Sequence, residues 1–129
     1  MRINEVEQLV GITKKNIRFY ENQGLLHPDR NMASGYREYS DKDVDLLMNI
    51  RLLRKLEIPI EEIRNILESR LTLEDCLNRH QIYLNHERKN LERIQEVCEM
   101  MARESVSFEE MATNLYLNQL DELERGGNR

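Results

Sequence analysis

The sequence predicts an all-α, mostly helical chain: a short helix-turn-helix carrying a small β-hairpin, then a long helix and a short C-terminal helix. Three observations predict it. Apolar residues recur at helical spacing along most of the chain. One stretch rich in Pro, Asp, Asn and Gly, residues 28–35, interrupts that pattern. From Thr72 onward no proline or glycine occurs until Gly126. The composition agrees: 40% of residues are hydrophobic, 33% charged and only 5% aromatic, which suits amphipathic helices with solvated outer faces better than a thick core.

In the first helix Ile3, Val6 and Val10 share one face and Gly11 ends the run. A Gly11-Ile12 turn leads to Thr13, a good N-cap. The second helix runs from Lys14 to Gln23, with Gly24 where a helix C-terminus favours a left-handed residue. Together these make a helix-turn-helix candidate. Pro28 and Asp29-Arg30-Asn31 forbid a helix, and Ser34-Gly35 marks a tight reversal flanked by Tyr36, Arg37 and Tyr39, read as a hairpin wing. The first part is therefore a winged helix-turn-helix.

Ser40 caps a third helix, with Asp43 at the position that answers back, and Leu46, Ile50 and Leu53 keep helical spacing. Pro59 breaks it and starts a fourth helix, whose face is Ile60, Ile63 and Leu67. Thr72 with Asp75 opens the long helix. There Leu77, Leu84, Leu91 and Cys98 fall seven apart, and Ile94 and Met101 fill alternate seam positions, the heptad pattern of a helix that packs on another helix. His80 and Glu87 interrupt the seam. A break at Ser105-Val106 precedes a capping box at Ser107-Phe108-Glu109-Glu110, and Phe108, Met111 and Leu115 form one face of a last helix. The tail Gly126-Gly127-Asn128-Arg129 reads as disordered. The division is 1–70 for the winged unit, 71–105 for the long helix and 106–129 for the last helix and tail.

Net charge is −5, but it is unevenly spread. Residues 1–59 hold ten Lys/Arg against nine Asp/Glu, whereas residues 60–129 hold nine against fifteen, so the first half can still present a basic face to phosphates. No apolar run approaches the ~20 residues that span a bilayer, the N-terminus lacks the apolar core of a secretory signal, and two cysteines are too few for a disulfide framework. A cytoplasmic setting is expected, without membrane or cofactor.

The start of the second helix gathers Thr13, Lys14, Lys15, Arg18 and Tyr20, a set suited to phosphates and base edges, with Ile17 facing the core between them. Arg37 between two tyrosines suits a backbone phosphate or the minor groove, with Tyr39 assigned to packing. Arg51, Arg54 and Lys55 cluster at the end of the third helix, which a solvated face explains about as well. No nucleophile–base pair, glycine-rich phosphate loop or two-carboxylate site has a defensible spacing, so no enzyme is expected. The paired acids Glu61-Glu62 and Glu109-Glu110 suit first turns of helices, where they favour the dipole.

The runs Ile17-Arg18-Phe19-Tyr20-Glu21-Asn22-Gln23-Gly24-Leu25-Leu26, Ser34-Gly35-Tyr36-Arg37-Glu38-Tyr39-Ser40, Asp43-Val44 and Pro59-Ile60-Glu61-Glu62-Ile63 resemble the MerR family of transcriptional regulators, over residues 3 to about 70. The resemblance implies a homodimer on double-stranded promoter DNA whose spacer is too long. It implies that this DNA is kinked and untwisted so that RNA polymerase, an indirect partner, can use both promoter elements. It implies DNA contacts by Thr13, Arg18, Tyr20, Tyr36, Arg37 and Arg54; Lys14 and Lys15 are added on charge and placement.

Two positions depart from the family pattern: Phe19 replaces the first of two tyrosines, and Glu57 stands where glycine is usual. The long helix, about 48 Å from Leu73 to Glu104, is by resemblance an antiparallel coiled-coil dimerisation helix with Leu77, Leu84, Leu91, Ile94, Cys98 and Met101 as its seam; packing of those leucines on the last helix within one chain is the alternative.

Metal- and redox-sensing relatives place cysteines at the start of this helix and in a loop after it, because soft ions need converging thiolates. Here no cysteine follows Cys98, which reads as a small buried apolar seam residue, and His27, His80 and His86 share no face with the cysteines at ligand spacing, so no metal is expected. A thiol switch between Cys76 and the other chain's Cys98 is a weaker reading. Drug-sensing relatives carry a ligand-binding domain for which residues 107–129 are too few. For a small-molecule effector this leaves a pocket between the last two helices, no ligand at all, or a chain that is a fragment. The rival function is a helical dimeric protein-interaction module without DNA binding.

Overall fold

The computed structural model describes residues 1–104 and 107–127. Its elements are α1 (Ile3–Val10), α2 (Lys14–Asn22), β1 (Asp29–Arg30), β2 (Arg37–Glu38), α3 (Asp41–Lys55), α4 (Ile60–Leu67), α5 (Leu73–Arg103) and α6 (Thr113–Gly127). The chain divides into two compact units, Met1–Cys76 and Leu77–Arg129, so the first turn of α5 belongs to the first unit.

The first unit closes around Val6 and Val10 of α1, Ile17 of α2, Leu25 and Leu26 of the following turn, Leu47 and Ile50 of α3, Ile58 and Ile63, all at most 3% exposed. Each of these aliphatic side chains stabilises the fold by roughly 1.5–3 kcal/mol on burial. Two sequence expectations change. In α3 the core residue is Leu47 rather than Leu46 or Leu53, which are half-buried. In α4 Leu67 is exposed, while Ile63 carries the burial. Both helices are short or flat-patterned, so neighbouring apolar residues compete for the core and tertiary packing selects one.

Helix ends are fixed as the sequence suggests and in ways it does not. Thr13 Oγ1 accepts the backbone N–H of Asn16 at 3.2 Å, and the Glu7 carboxylate accepts that of Lys14 at 2.7 Å, so α1 helps cap α2. Ser40 and Asp43 form the expected capping box on α3. At the end of α1 the guanidinium of Arg51 donates to the Val10 carbonyl at 3.2 Å, and Gly11, with φ 71, holds the left-handed backbone that favours glycine; a Cβ there would also press within 3.1 Å of that guanidinium.

Helix α2 ends in a Schellman closure, Leu25 N–H to Tyr20 carbonyl and Gly24 N–H to Glu21 carbonyl, both 3.0 Å, with Gly24 left-handed. The same closure ends α3 through Ile58 to Leu53 and Glu57 to Arg54, and ends α4 through Arg70 to Asn65 and Ser69 to Ile66. There the left-handed residues are Glu57, φ 66, and Ser69, φ 60, neither of them glycine. The unusual Glu57 therefore keeps the turn that glycine would make.

Strands β1 and β2 pair antiparallel with Asp29 opposite Glu38 and Arg30 opposite Arg37. The loop is organised by Asn31, whose Oδ1 accepts the N–H groups of Ala33 and Ser34 at 2.9 and 3.1 Å, an Asx turn that lets Gly35 close the reversal. Met1 adds a strand-like contact to the hairpin, exchanging backbone bonds with Tyr39 at 2.8 and 2.9 Å.

In the second unit α5 continues unbroken to Arg103; the expected break at Ser105-Val106 lies outside the described residues. Ser107 does accept the N–H of Glu110, at 3.3 Å, but only a turn follows, and α6 begins at Thr113. The expected Phe108–Met111–Leu115 face is therefore corrected: Phe108 is 81% and Leu115 55% exposed, and the buried residue is Tyr116, whose hydroxyl donates to Glu104. A cap is worth about 1 kcal/mol, less than burying a tyrosine ring. That bond and burial raise the Tyr116 pKa. Gly126 and Gly127 are helical rather than part of a disordered tail, and Asn128 and Arg129 lie outside the described residues.

Along α5, Leu84, Leu91 and Ile94 are exposed, Leu77 and Met101 are half-buried, and the expected burial of Cys98 is not met within one chain, where Val97 is buried instead. The heptad residues thus remain largely uncovered by α6, against the alternative of packing within one chain.

Candidate nucleic-acid interface

Helix α2 places its residues by the rule that positions three apart share a face. Ile17 is fully buried, so Tyr20 turns inward with it and is only 7% exposed. This corrects the expectation that Tyr20 stands on the open side. The outward aromatic is its neighbour Phe19, 41% exposed and tilted against the Tyr20 ring at 5.9 Å. Thr13, Lys15 and Arg18 are exposed and Lys14 is half-buried.

The expected site residues fall into two groups. Thr13, Tyr20 and Arg54 line one open concavity of about 260 Å³, joined by Arg51 and Lys55. Arg54 is exposed and donates to the Ile58 carbonyl at 3.0 Å, so the turn after α3 aims it. Arg18, Tyr36 and Arg37 line a second concavity of about 100 Å³. Lys14 and Lys15 line neither.

Between α2 and the wing sits a carboxylate outside the expected site residues. The Glu21 side chain is only 8% exposed; Arg37 Nε donates to it at 2.7 Å and the Tyr39 hydroxyl donates to it as well. A desolvated carboxylate is tolerable only with such partners. Burial first, then the bond to Glu21, pushes the Tyr39 phenol well above its ordinary pKa. The assignment of Tyr39 to packing agrees with its 2% exposure, though its hydroxyl also fixes the wing to α2. Arg64 of α4 ties the far end of α2, donating to the Gln23 carbonyl at 2.7 Å and to its side-chain oxygen at 2.9 Å. The only sequence clue to these links was three charged residues, Glu21, Arg37 and Arg64, at positions that helical or strand pairing turns inward.

Among the described residues no group of three or more His, Cys, Asp or Glu could hold a metal ion, and no helix is long and apolar enough to cross a membrane.

The model for MerR HTH family regulatory proteins matches residues 1–70. The HTH-type transcriptional regulator HmrR of Sinorhizobium medicae is 42% identical over 67 residues, 52% of this chain and 46% of that protein. Nodulation protein NolA of a Bradyrhizobium species is 33% identical over 79 residues, 61% of this chain and 33% of that protein. The chain thus spans less than half the length of these relatives. Among solved structures, the lead(II)-bound transcription regulator from Ralstonia metallidurans shares the fold with a TM-score of 0.71 at 24% identity, over 80% of this chain and 86% of that one. A MerR-type regulator from Listeria monocytogenes shares it with a TM-score of 0.54 at 20% identity, over 98% of each. With the family model covering more than half its length, the chain belongs to the MerR HTH family of regulatory proteins.

Proposed function

We propose that the chain is a DNA-binding transcriptional regulator that acts as a homodimer on promoter DNA and works by distorting the spacer. The observation that carries this reading is the grouping of Arg18 with Tyr36 and Arg37, and of Thr13 and Tyr20 with Arg54, on one compact unit built by α2, the wing and the end of α3. Cations and hydroxyls gathered from three elements suit a phosphate backbone that crosses them, and the exposed start of α2 suits the major groove. Lys14 and Lys15 add charge at that start. Polymerase is affected indirectly, through the geometry of the DNA.

In this reading two copies join through α5, with Leu77, Leu84, Leu91, Ile94, Cys98 and Met101 as the seam. The apolar exposure of Leu84, Leu91 and Ile94 supports a partner helix there, since isolated patches of that kind are costly in water. Gel shifts test the reading. Arg18→Ala and Arg37→Ala should each weaken binding to a promoter duplex while sedimentation shows an unchanged dimer, and unaltered affinity in both would overturn it.

A further inference from the structure

The second concavity contains one cation that neither the charge pattern nor the family resemblance singled out. The guanidinium of Arg2 lies over the ring of Tyr36, 4.2 Å from its centroid, and Arg2 lines the concavity together with Ile3, Arg18, Tyr36 and Arg37. Three arginines, from the chain's start, α2 and β2, thus line one concavity. The acids nearby are accounted for. Glu21 is taken up by Arg37 and Tyr39, and Glu38 approaches Arg2 only at 3.9 Å and also meets the Met1 amino group at 3.5 Å. Arg2 is the N-cap of α1 and offers no side-chain cap to it, so the positive end of that helix adds to the field at the same place.

Stacking on an aromatic face restricts a guanidinium without using its N–H donors, leaving a planar fork for two oxygens of one anion. We infer that Arg2, held on Tyr36 and flanked by Arg18 and Arg37, forms a phosphate-binding clamp that seats one backbone phosphate of the duplex beside the wing. The inference rests on the DNA-binding reading and deepens it by naming a contact and its ligand atom class. The clamp carries no sequence information, since every nucleotide offers the same phosphate.

The test is duplex affinity by fluorescence anisotropy across a salt series, for the wild-type chain, Arg2→Ala and Arg2→Lys, on a promoter duplex and on an unrelated duplex. Each lost phosphate contact lowers the slope of log affinity against log salt by about one, and the variant dimer loses one from each copy, so the slope falls by about two and affinity by about thirtyfold near 0.15 M salt. Arg2→Ala should show that loss equally on both duplexes, and Arg2→Lys, which keeps the charge without the fork, should retain the slope but bind more weakly than wild type. Arg2 is half-exposed, and melting temperatures matching the wild type would show that the fold is kept. A steep wild-type slope with the same slope in Arg2→Ala overturns the clamp and leaves the DNA-binding reading standing. A loss confined to the promoter duplex also overturns it, because a phosphate contact cannot discriminate sequence. No salt-dependent binding by the wild type overturns both.

Discussion

Nε of Arg37 donates to the carboxylate of Glu21 at 2.7 Å, so the wing and the second helix are joined through a nearly buried charge. The pair orients the guanidinium that the proposed interface uses, and Tyr39 supplies the carboxylate's other partner. Removing one side of such a pair strands the other, which costs more than the pair itself contributes. Arg37→Ala is therefore expected to cost about 1–3 kcal/mol of stability as well as DNA affinity. Glu21→Gln should weaken binding without touching DNA itself. A double-mutant cycle on unfolding should show a coupling of about 1 kcal/mol or more between the two positions, and strict additivity would contradict the link.

Tyr39 gives this arrangement a pH dependence. Its folded pKa lies above the usual phenol value of about 10, chiefly because the ring is buried and then because it bonds Glu21. A raised folded pKa means that stability is fully present below the unfolded value and drains away as pH rises past it toward the folded value. Denaturant midpoints should therefore fall as pH climbs above about 10, and Tyr39→Phe should flatten that fall while costing about 1 kcal/mol at neutral pH. An unchanged alkaline profile in Tyr39→Phe contradicts the assignment.

Glu57 holds φ 66 at the end of α3 in a closure that glycine makes without strain. Left-handed backbone costs a non-glycine residue about 1 kcal/mol, partly offset by the greater unfolded-state freedom of glycine. Glu57→Gly should leave stability equal or raise it by up to about 1 kcal/mol, and Glu57→Val should lower it, as read by thermal melting. A marked loss in Glu57→Gly would show that the carboxylate has a role beyond the turn.

Leu84 and Leu91 are 42% and 63% exposed in the single chain. If a second copy covers them, Leu84→Glu with Leu91→Glu should convert the dimer to monomer in sedimentation and reduce promoter affinity by at least about tenfold, because the linked second surface is lost. Helical content should hold. An intact dimer in this variant contradicts the seam.

Much of this was legible where local chemistry decides the outcome. Thr13 and Ser40 are strong caps, Gly24 suits a left-handed closure, and Pro59 starts a helix, so these ends lie where the residues put them. Legibility failed where distant parts of the chain decide. Tyr20 and Phe19 are adjacent aromatics, and only the packing of Ile17 settles which faces inward. Arg51 and Arg64 look like solvated cations in sequence yet cap helices 41 residues away in each case. Glu57 and Ser69 adopt backbone that their side chains disfavour because the Schellman hydrogen bonds hold them there, helped at Glu57 by the burial of Ile58. At Ser107 the reverse holds: a local cap formed, but the helix it announced starts later, where Tyr116 can reach Glu104.

The surface of α2 and the wing, held twice in a dimer, is proposed to bind the phosphate backbone of duplex DNA. Wild-type duplex affinity measured across a salt series decides this. A linear fall of log affinity with log salt at a slope of about −6 or steeper is expected, as several phosphate contacts from each copy require; an affinity indifferent to salt would rule out that binding.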